Sequence, residues 1–304
     1  MKTISYSSLF FALFLFAACQ NEAAQANTEQ KTPTTETPKR IISLNGSLTE
    51  LLYQLDLGQN VVGLDVTSSY PEAAQALPKL GHVNKLNVEA VLALNPDYIL
   101  VDSNALASPA IQQLAQSKEI EILAVPVPQR LDGAVTSAKA LAQKLPIAPE
   151  KIEALEEEMK KDRKALTEFL AQQKTSPKVL FIYARGSKVI MAAGPNTPMA
   201  QMIKLAGGQN AVDNFEDFKP LTPESVLASQ PDILLLFNSG LASLAQAEKS
   251  ADEALLSLPA LVQTPAAKHK RIISMEGHYL SGFGPRAAKA ALELAQKLET
   301  AMNK

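Results

Sequence analysis

Few side chains in this 304-residue chain can do chemistry, and they lie far apart. There are three histidines (His82, His269 and His278), one cysteine (Cys19) and no tryptophan. A site built from many histidines is excluded, and so is an intramolecular disulfide. Oxygen and guanidinium groups remain at three places. Tyr70 stands in "VTSSYPEAA", directly before Pro71 and just after the hydrophobic "VVGLD". Proline biases the preceding residue towards an extended backbone, which puts this tyrosine on a stiff bend. A phenol that loses its proton, normally held with a pKa of about 10, becomes a hard anionic oxygen donor. Arg185, in "YARGS", can pair with an anion, and Gly186 beside it marks a tight turn. "GHYLSGFG" carries His278 and Tyr279 after a hydrophobic strand.

Enzyme signatures are thin. "GFGPRA" formally fits the dinucleotide pattern G-x-G-x-x-A, but it lies at the end of the chain, where no later strand can carry the ribose-binding acid. There is no G-x-S-x-G elbow and no P-loop. A redox or hydrolytic enzyme on a two-lobed scaffold is the alternative from a different class. With a net charge of -2 and no long basic run, the chain has no footprint for nucleic acid.

The elements that must position these residues follow from periodicity. Short apolar runs predict strands at 40–44, 61–64, 98–101, 121–125, 178–183, 232–237 and 271–275. Helical patterns fall at 47–56, 88–94, 107–116, 132–144, 197–205, 223–228 and 285–298. This alternation predicts an α/β fold of parallel sheets covered by helices. The chain also echoes itself: "LNVEAVLALNPDYILV" from Leu86 parallels "LTPESVLASQPDILLLF" from Leu221, and "RIISLNGS" at 40 parallels "RIISMEGH" at 271. The repeat points to two lobes of similar build whose loops face one cleft. Residues 148–176 between them read as one helix of about 40 Å, with Pro149 and Glu150 suited to its start. Its "EEEMKKDRK" run is a solvated face, and a single helix between lobes is a stiff hinge that disfavours large closing motions.

The N-terminus reads as separate from the fold. Lys2 and the apolar run Leu9 to Ala18 form a secretory signal over 1–18, too short to span a bilayer. It ends in Ala17-Ala18-Cys19, which resembles a bacterial lipobox, with Phe16 where leucine is usual. Cleavage before Cys19 and its acylation would anchor the chain to a membrane through a disordered tether, residues 19–38. A free thiol in an ordinary signal is the other reading. The folded part divides into an N-lobe (39–147), the linking helix (148–176) and a C-lobe (177–304).

At this point the chain resembles the substrate-binding proteins of ABC importers that serve vitamin B12, ferric siderophores and haem, the class with two Rossmann-like α/β lobes and one rigid linking helix (the class III periplasmic-binding-protein fold). The stretches that carry the likeness are "RIISLNGSLTELLYQLDLGQNVVGLD", "SSYPEAAQALPKLGHVNKLNVEAVLALNPDYILV", "VLFIYARGSKVIMAAGPNTPMAQMIKLAGGQNA", "LTPESVLASQPDILLL" and "LPALVQTPAAKHKRIISMEGHYLSGFGPRA". "MAAGPNTPMAQMIKLAGG" and the "GFG" before the last helix are most similar to the haem-binding branch.

That resemblance implies a transported ligand, haem b as hemin, and an iron ligand at Tyr70, since phenolate suits ferric iron. The other reading of Tyr70 is a ring on the cleft edge with its hydroxyl in water. Arg185 would pair with Tyr70 or a haem propionate, or simply make a surface ion pair. Tyr279 and His278 would stack on the porphyrin or bind iron from its other face, and His82, in "LGHVNKLN", would line the cleft. His269 reads as plain surface. The class also implies docking to a permease dimer through one acidic residue per lobe: Glu224 in the C-lobe, and Glu72 in the N-lobe, with Glu89 as the counterpart of Glu224 in the internal repeat. Each is equally a carboxylate placed at a helix start. A zinc or manganese binder would want more histidines, relatives for vitamin B12 use tryptophan-rich clefts, and siderophore binders use basic and aromatic clusters. A ferric siderophore is the runner-up ligand. The expected protein is a monomeric lipoprotein, periplasmic or on the cell surface, that is not an enzyme.

Overall fold

The computed structural model describes residues 39–187 and 189–303. The signal, Cys19 and the tether lie outside the described residues. In the N-lobe, β1 (Ile41–Ser43), β2 (Val61–Leu64), β5 (Tyr98–Asp102) and β6 (Glu121–Val125) form an all-parallel sheet in the order β2-β1-β5-β6. The hairpin β3 (Gly81–His82) and β4 (Lys85–Leu86) stands apart from it. The strands look uniformly apolar because both faces are covered. Ile41 and Leu100 enter a core built with α1 (Gly46–Gln54) and α4 (Gly133–Leu141), while Ile42, Ile99 and Val101 enter another with α2 (Val88–Ala93) and α3 (Pro109–Leu114). Side chains thus alternate between two cores along each strand, as the pleat requires.

The linking helix α5 spans Pro149–Leu170, about 33 Å at 1.5 Å per residue. It is shorter than the sequence predicts because residues 171–176 turn before Pro177 and lead into the next strand. Its stripe is divided: Ile152, Leu155 and Met159 join the N-lobe core, and Leu166 joins the C-lobe core. One helix is therefore packed into both lobes. Most of its charges face water, with pairs such as Lys164–Glu168, while Asp162 is largely buried beside Lys289.

The C-lobe sheet runs β10-β8-β7-β11-β12. Strands β7 (Lys178–Arg185), β11 (Ile233–Phe237) and β12 (Ile272–Met275) are parallel, as expected. Strands β8 (Val189–Ala193) and β10 (Phe218–Pro220) are antiparallel additions, and β9 (Gln209–Asn210) pairs with the start of β7. This sheet is therefore mixed. Gly186, at φ +63, turns the β7–β8 hairpin. The covering helices are α6 (Pro198–Leu205), α7 (Pro223–Ser229), α8 (Asn238–Ala242), α9 (Ala251–Leu256), α10 (Pro265–Lys268), α11 (Gly277–Ser281) and α12 (Ala287–Met302).

The first internal echo is structural. In the N-lobe α2 leads through Asn95, at φ 45, and Pro96-Asp97 into β5; in the C-lobe α7 leads through Gln230, at φ 43, and Pro231-Asp232 into β11. Each aspartate accepts from the backbone N–H that opens the lobe's first strand, Asp97 from Arg40 at 2.7 Å and Asp232 from Lys178 at 2.9 Å. The second echo is local: Asn45 caps α1 by accepting from Ser47 and Leu48 N–H, and Glu276 caps α11 by accepting from His278 and Tyr279 N–H.

Candidate functional site

The loop carrying Tyr70 is fastened from below by a buried polar network. Asp65, 2% exposed, accepts from the Ser68 hydroxyl at 2.6 Å and the Thr67 hydroxyl at 2.5 Å. Ser68 shares a 2.8 Å hydrogen bond with Thr49 on α1, and Thr49 donates to Ser43 at the end of β1. Lys79 donates to the Ser68 carbonyl at 2.7 Å; burial lowers its pKa, and Asp65 opposes that effect. The two serines before the tyrosine thus have different duties. Ser68 is locked inside, and Ser69 donates across the cleft to Glu276 at 3.2 Å.

Tyr70 emerges from this anchored loop 43% exposed, with a cis peptide to Pro71. Among the described residues its hydroxyl has no hydrogen-bond partner. Its ring lies against Arg286, whose guanidinium carbon is 3.7 Å from the ring centroid. Arg185, expected as the arginine beside Tyr70, is elsewhere. Arg286 donates from Nε and Nη2 to both oxygens of Glu50, at 2.7 and 2.9 Å. Glu50 is 5% exposed and belongs to α1, so this fork joins the lobes. Burial works against the Arg286 charge, but the hydrogen bond and negative charge of Glu50 outweigh it and raise its pKa above the usual value.

Tyr279 covers Arg286 from another side, with the guanidinium carbon 4.8 Å from its ring centroid. Burial, then the nearby Glu293, pushes its pKa up to about 12. Burial and the neighbouring carboxylate both favour its protonated form. His278 is buried at the contact between the lobes. Its side chain is 9% exposed and wedged between Gly46 and Gly282, with Nε2 3.8 Å from Glu50. Burial lowers its pKa and keeps it neutral, although Glu50 and Glu276 pull the other way.

The glycines of "GFGPRA" serve this packing. A Cβ on Gly282 would stand 2.5 Å from His278, and one on Gly284 would stand 3.3 Å from Ser47 of the opposite lobe. Ser47 also donates to the Gly282 carbonyl. The motif brings two backbones together, and helix α12 begins after Arg286.

A cavity of about 1190 Å³ opens between the lobes beside this contact. Val66, Thr67, Ser69, His82 and Lys85 line it from the N-lobe, and Tyr183, Arg185, Phe237 and His278 from the C-lobe. Tyr183 and Phe237 form an aromatic wall with ring centroids 6.4 Å apart, extended by Phe218 at 6.2 Å from Tyr183. Lys85 and Arg185 place a cation on each lobe. His82 is exposed, and its Nδ1 accepts from the Asn84 N–H at 3.3 Å. Tyr70 lines a separate recess of about 280 Å³ with Glu50, Tyr53 and Arg286; the loop of residues 66–70 divides the two spaces. The structure therefore groups His82, Arg185 and His278 around one cavity, from both lobes, and Tyr70 with Arg286 and Tyr279 behind the 66–70 loop. His269 lies exposed at the end of α10. Glu72, Glu89 and Glu224 are all exposed at helix starts. Glu89 holds the same place in α2 that Glu224 holds in α7.

Two lobes, one shared helix and an interlobe cavity frame the comparison with known proteins, and residues 41–279 match the periplasmic binding protein family. The chain belongs to that family. Among periplasmic binding proteins and their relatives, the solved apo structure of periplasmic heme-binding protein RhuT from Roseiflexus sp. RS-1 is 36% identical, with a TM-score of 0.79, covering 86% of this chain and 98% of that one. The uncharacterized ABC transporter substrate-binding lipoprotein YvrC of Bacillus subtilis is 26% identical over 96% of both chains. A vitamin B12-binding protein of Yersinia pestis is 27% identical over 86% of both chains.

Proposed function

We propose that this protein is the extracytoplasmic component of an ABC importer that captures hemin and delivers it to the permease. Tyr70 carries this reading: a phenol exposed to solvent, with no hydrogen-bond partner among the described residues, on a loop bolted to the sheet whose Val66, Thr67 and Ser69 line the interlobe cavity while Tyr70 lines the recess behind it. Ferric iron would take its oxygen. Lys85 and Arg185 would attract the propionates, and Tyr183 and Phe237 offer the apolar rings that a planar macrocycle needs. The likeness to RhuT supports haem over the other ligands of the class. Permease docking would use Glu89 and Glu224, because the internal repeat sets these two, and not Glu72, at matching places on the lobes. Acylated Cys19 would anchor the protein in the periplasm or at the cell surface, as the lipoprotein name of YvrC suggests for that relative.

The vitamin B12-binding relative is the reason to test a corrinoid beside haem. Purified protein is dialysed against hemin, cyanocobalamin and a ferric catecholate in turn. Retention of hemin alone is expected; retention of cobalamin or the chelate with hemin left free would overturn the ligand.

A further inference from the structure

We propose that Arg286 is a positioning residue for the ligand-binding tyrosine: its guanidinium, clamped by Glu50, fixes the Tyr70 ring and so aims the hydroxyl. The inference rests on the hemin reading for its function but on geometry for its substance. Three contacts converge on one planar group. Glu50 takes two parallel hydrogen bonds, at 2.7 and 2.9 Å, which fixes the guanidinium plane. The Tyr70 ring lies at 3.7 Å and the Tyr279 ring at 4.8 Å. Arginine over an aromatic face is attractive, and more so where water is partly excluded.

A cation serving only to balance Glu50 would need neither ring. Lys289, one turn further along α12, shows the plain alternative: it pairs with Glu158 and Asp162 and, among the described residues, lies over no aromatic face. Tyr70 itself has few other constraints. Its backbone is held by the Asp65 network, but its ring is half in solvent, so the guanidinium is what stops it from rotating about its own χ angles. Arg286 comes from the C-lobe, whereas Glu50 and Tyr70 belong to the N-lobe. The support therefore exists only while the lobes keep this spacing, and the aim of the phenol depends on the opposite lobe.

The test uses the full chain without its ligand first. Tetranitromethane is added, and nitration is read residue by residue by mass spectrometry, in wild type, Arg286→Met, Arg286→Lys and Glu50→Gln. Tyr70 should nitrate several-fold faster in Arg286→Met and Glu50→Gln, with Arg286→Lys between, while Tyr53, Tyr98 and Tyr183 keep their wild-type rates. Hemin titration follows. Affinity should fall about tenfold in Arg286→Met, with a displaced phenolate-to-iron charge-transfer band, and Arg286→Lys should recover part of it. Unchanged Tyr70 nitration in Arg286→Met and Glu50→Gln would overturn the proposal, whatever hemin does. Should wild type take up no hemin, the ligand falls and nitration alone decides Arg286. If Arg286→Met fails to fold by circular dichroism, Glu50→Gln and Arg286→Lys carry the same comparison.

Discussion

Replacing Asp65 by alanine should loosen the Tyr70 loop and destabilise the N-lobe together. The carboxylate is 2% exposed and accepts two short hydrogen bonds, from Ser68 at 2.6 Å and Thr67 at 2.5 Å. Hydrogen bonds to a charged group contribute about 1.5–3 kcal/mol each. Thr67 is exposed, so its bond counts at or below the low end, and Ser68, fully buried, counts near the high end. The total is about 4 kcal/mol. At about 2–4 °C per kcal/mol for a chain of this size, the thermal midpoint should fall by about 8–16 °C. Asp65→Asn keeps the shape and one acceptor oxygen and should lose about half as much. Because Ser68 and Thr49 belong to the same network, Asp65→Ala combined with Thr49→Val should cost less than the sum of the two. Scanning calorimetry gives the midpoints, and hemin titration shows whether Tyr70 still presents its oxygen. A midpoint within about 2 °C of wild type, with unchanged hemin binding, would refute the idea that this network holds the loop.

Three further outcomes follow from the same contacts. His278 binds a proton more weakly in the folded protein than in the unfolded chain, so stability should fall as pH drops below about 6.5 and stop falling only below the depressed folded value; His278→Gln should flatten that slope between pH 7.5 and 5.5, measured as midpoint against pH. Gly46→Ala puts a Cβ 2.7 Å from His278 and 2.8 Å from the Thr67 carbonyl, and should cost about 1–3 kcal/mol by forcing the lobes apart, read from urea unfolding. Glu89→Lys and Glu224→Lys should leave hemin affinity intact but abolish uptake through the permease, each contributing and both sensitive to salt; unchanged uptake in the double variant would exclude these helices as the docking pair.

Much of the scaffold was legible because it is local. The alternation of short apolar runs with helical stripes predicts the parallel N-lobe sheet, and the repeated Pro-Asp before a strand identifies two lobes, since both aspartates close the same turn onto the first strand. The β7–β8 hairpin is only half visible: Gly186 marks its turn in the sequence, but the run "VIMAA" after it is not predicted as a strand. The site is less legible. Tyr70 and the tight turn beside Arg185 are visible in sequence, but the partner of Tyr70 is not. Glu50 looks like a surface residue of an ordinary helix, and its burial comes from Arg286, 236 positions away. In "GFGPRA" the glycines draw attention, whereas the arginine after them makes the interlobe fork. His278 and Tyr279 look alike as loop ligands, and only three-dimensional packing shows one wedged and neutral, the other holding its proton. Ser68 and Asp65 offer a fainter signal: polar residues flanking an apolar strand, with a lysine eleven residues beyond Ser68 that reaches its carbonyl.

The central claim is that the Tyr70 oxygen grips ferric iron in hemin, and spectrophotometric titration of wild type and Tyr70→Ala measures it most directly. Wild type should give a saturable Soret shift with a phenolate-to-iron charge-transfer band, and the variant should lose that band and bind far more weakly. Identical spectra and affinities in the two proteins would contradict the account.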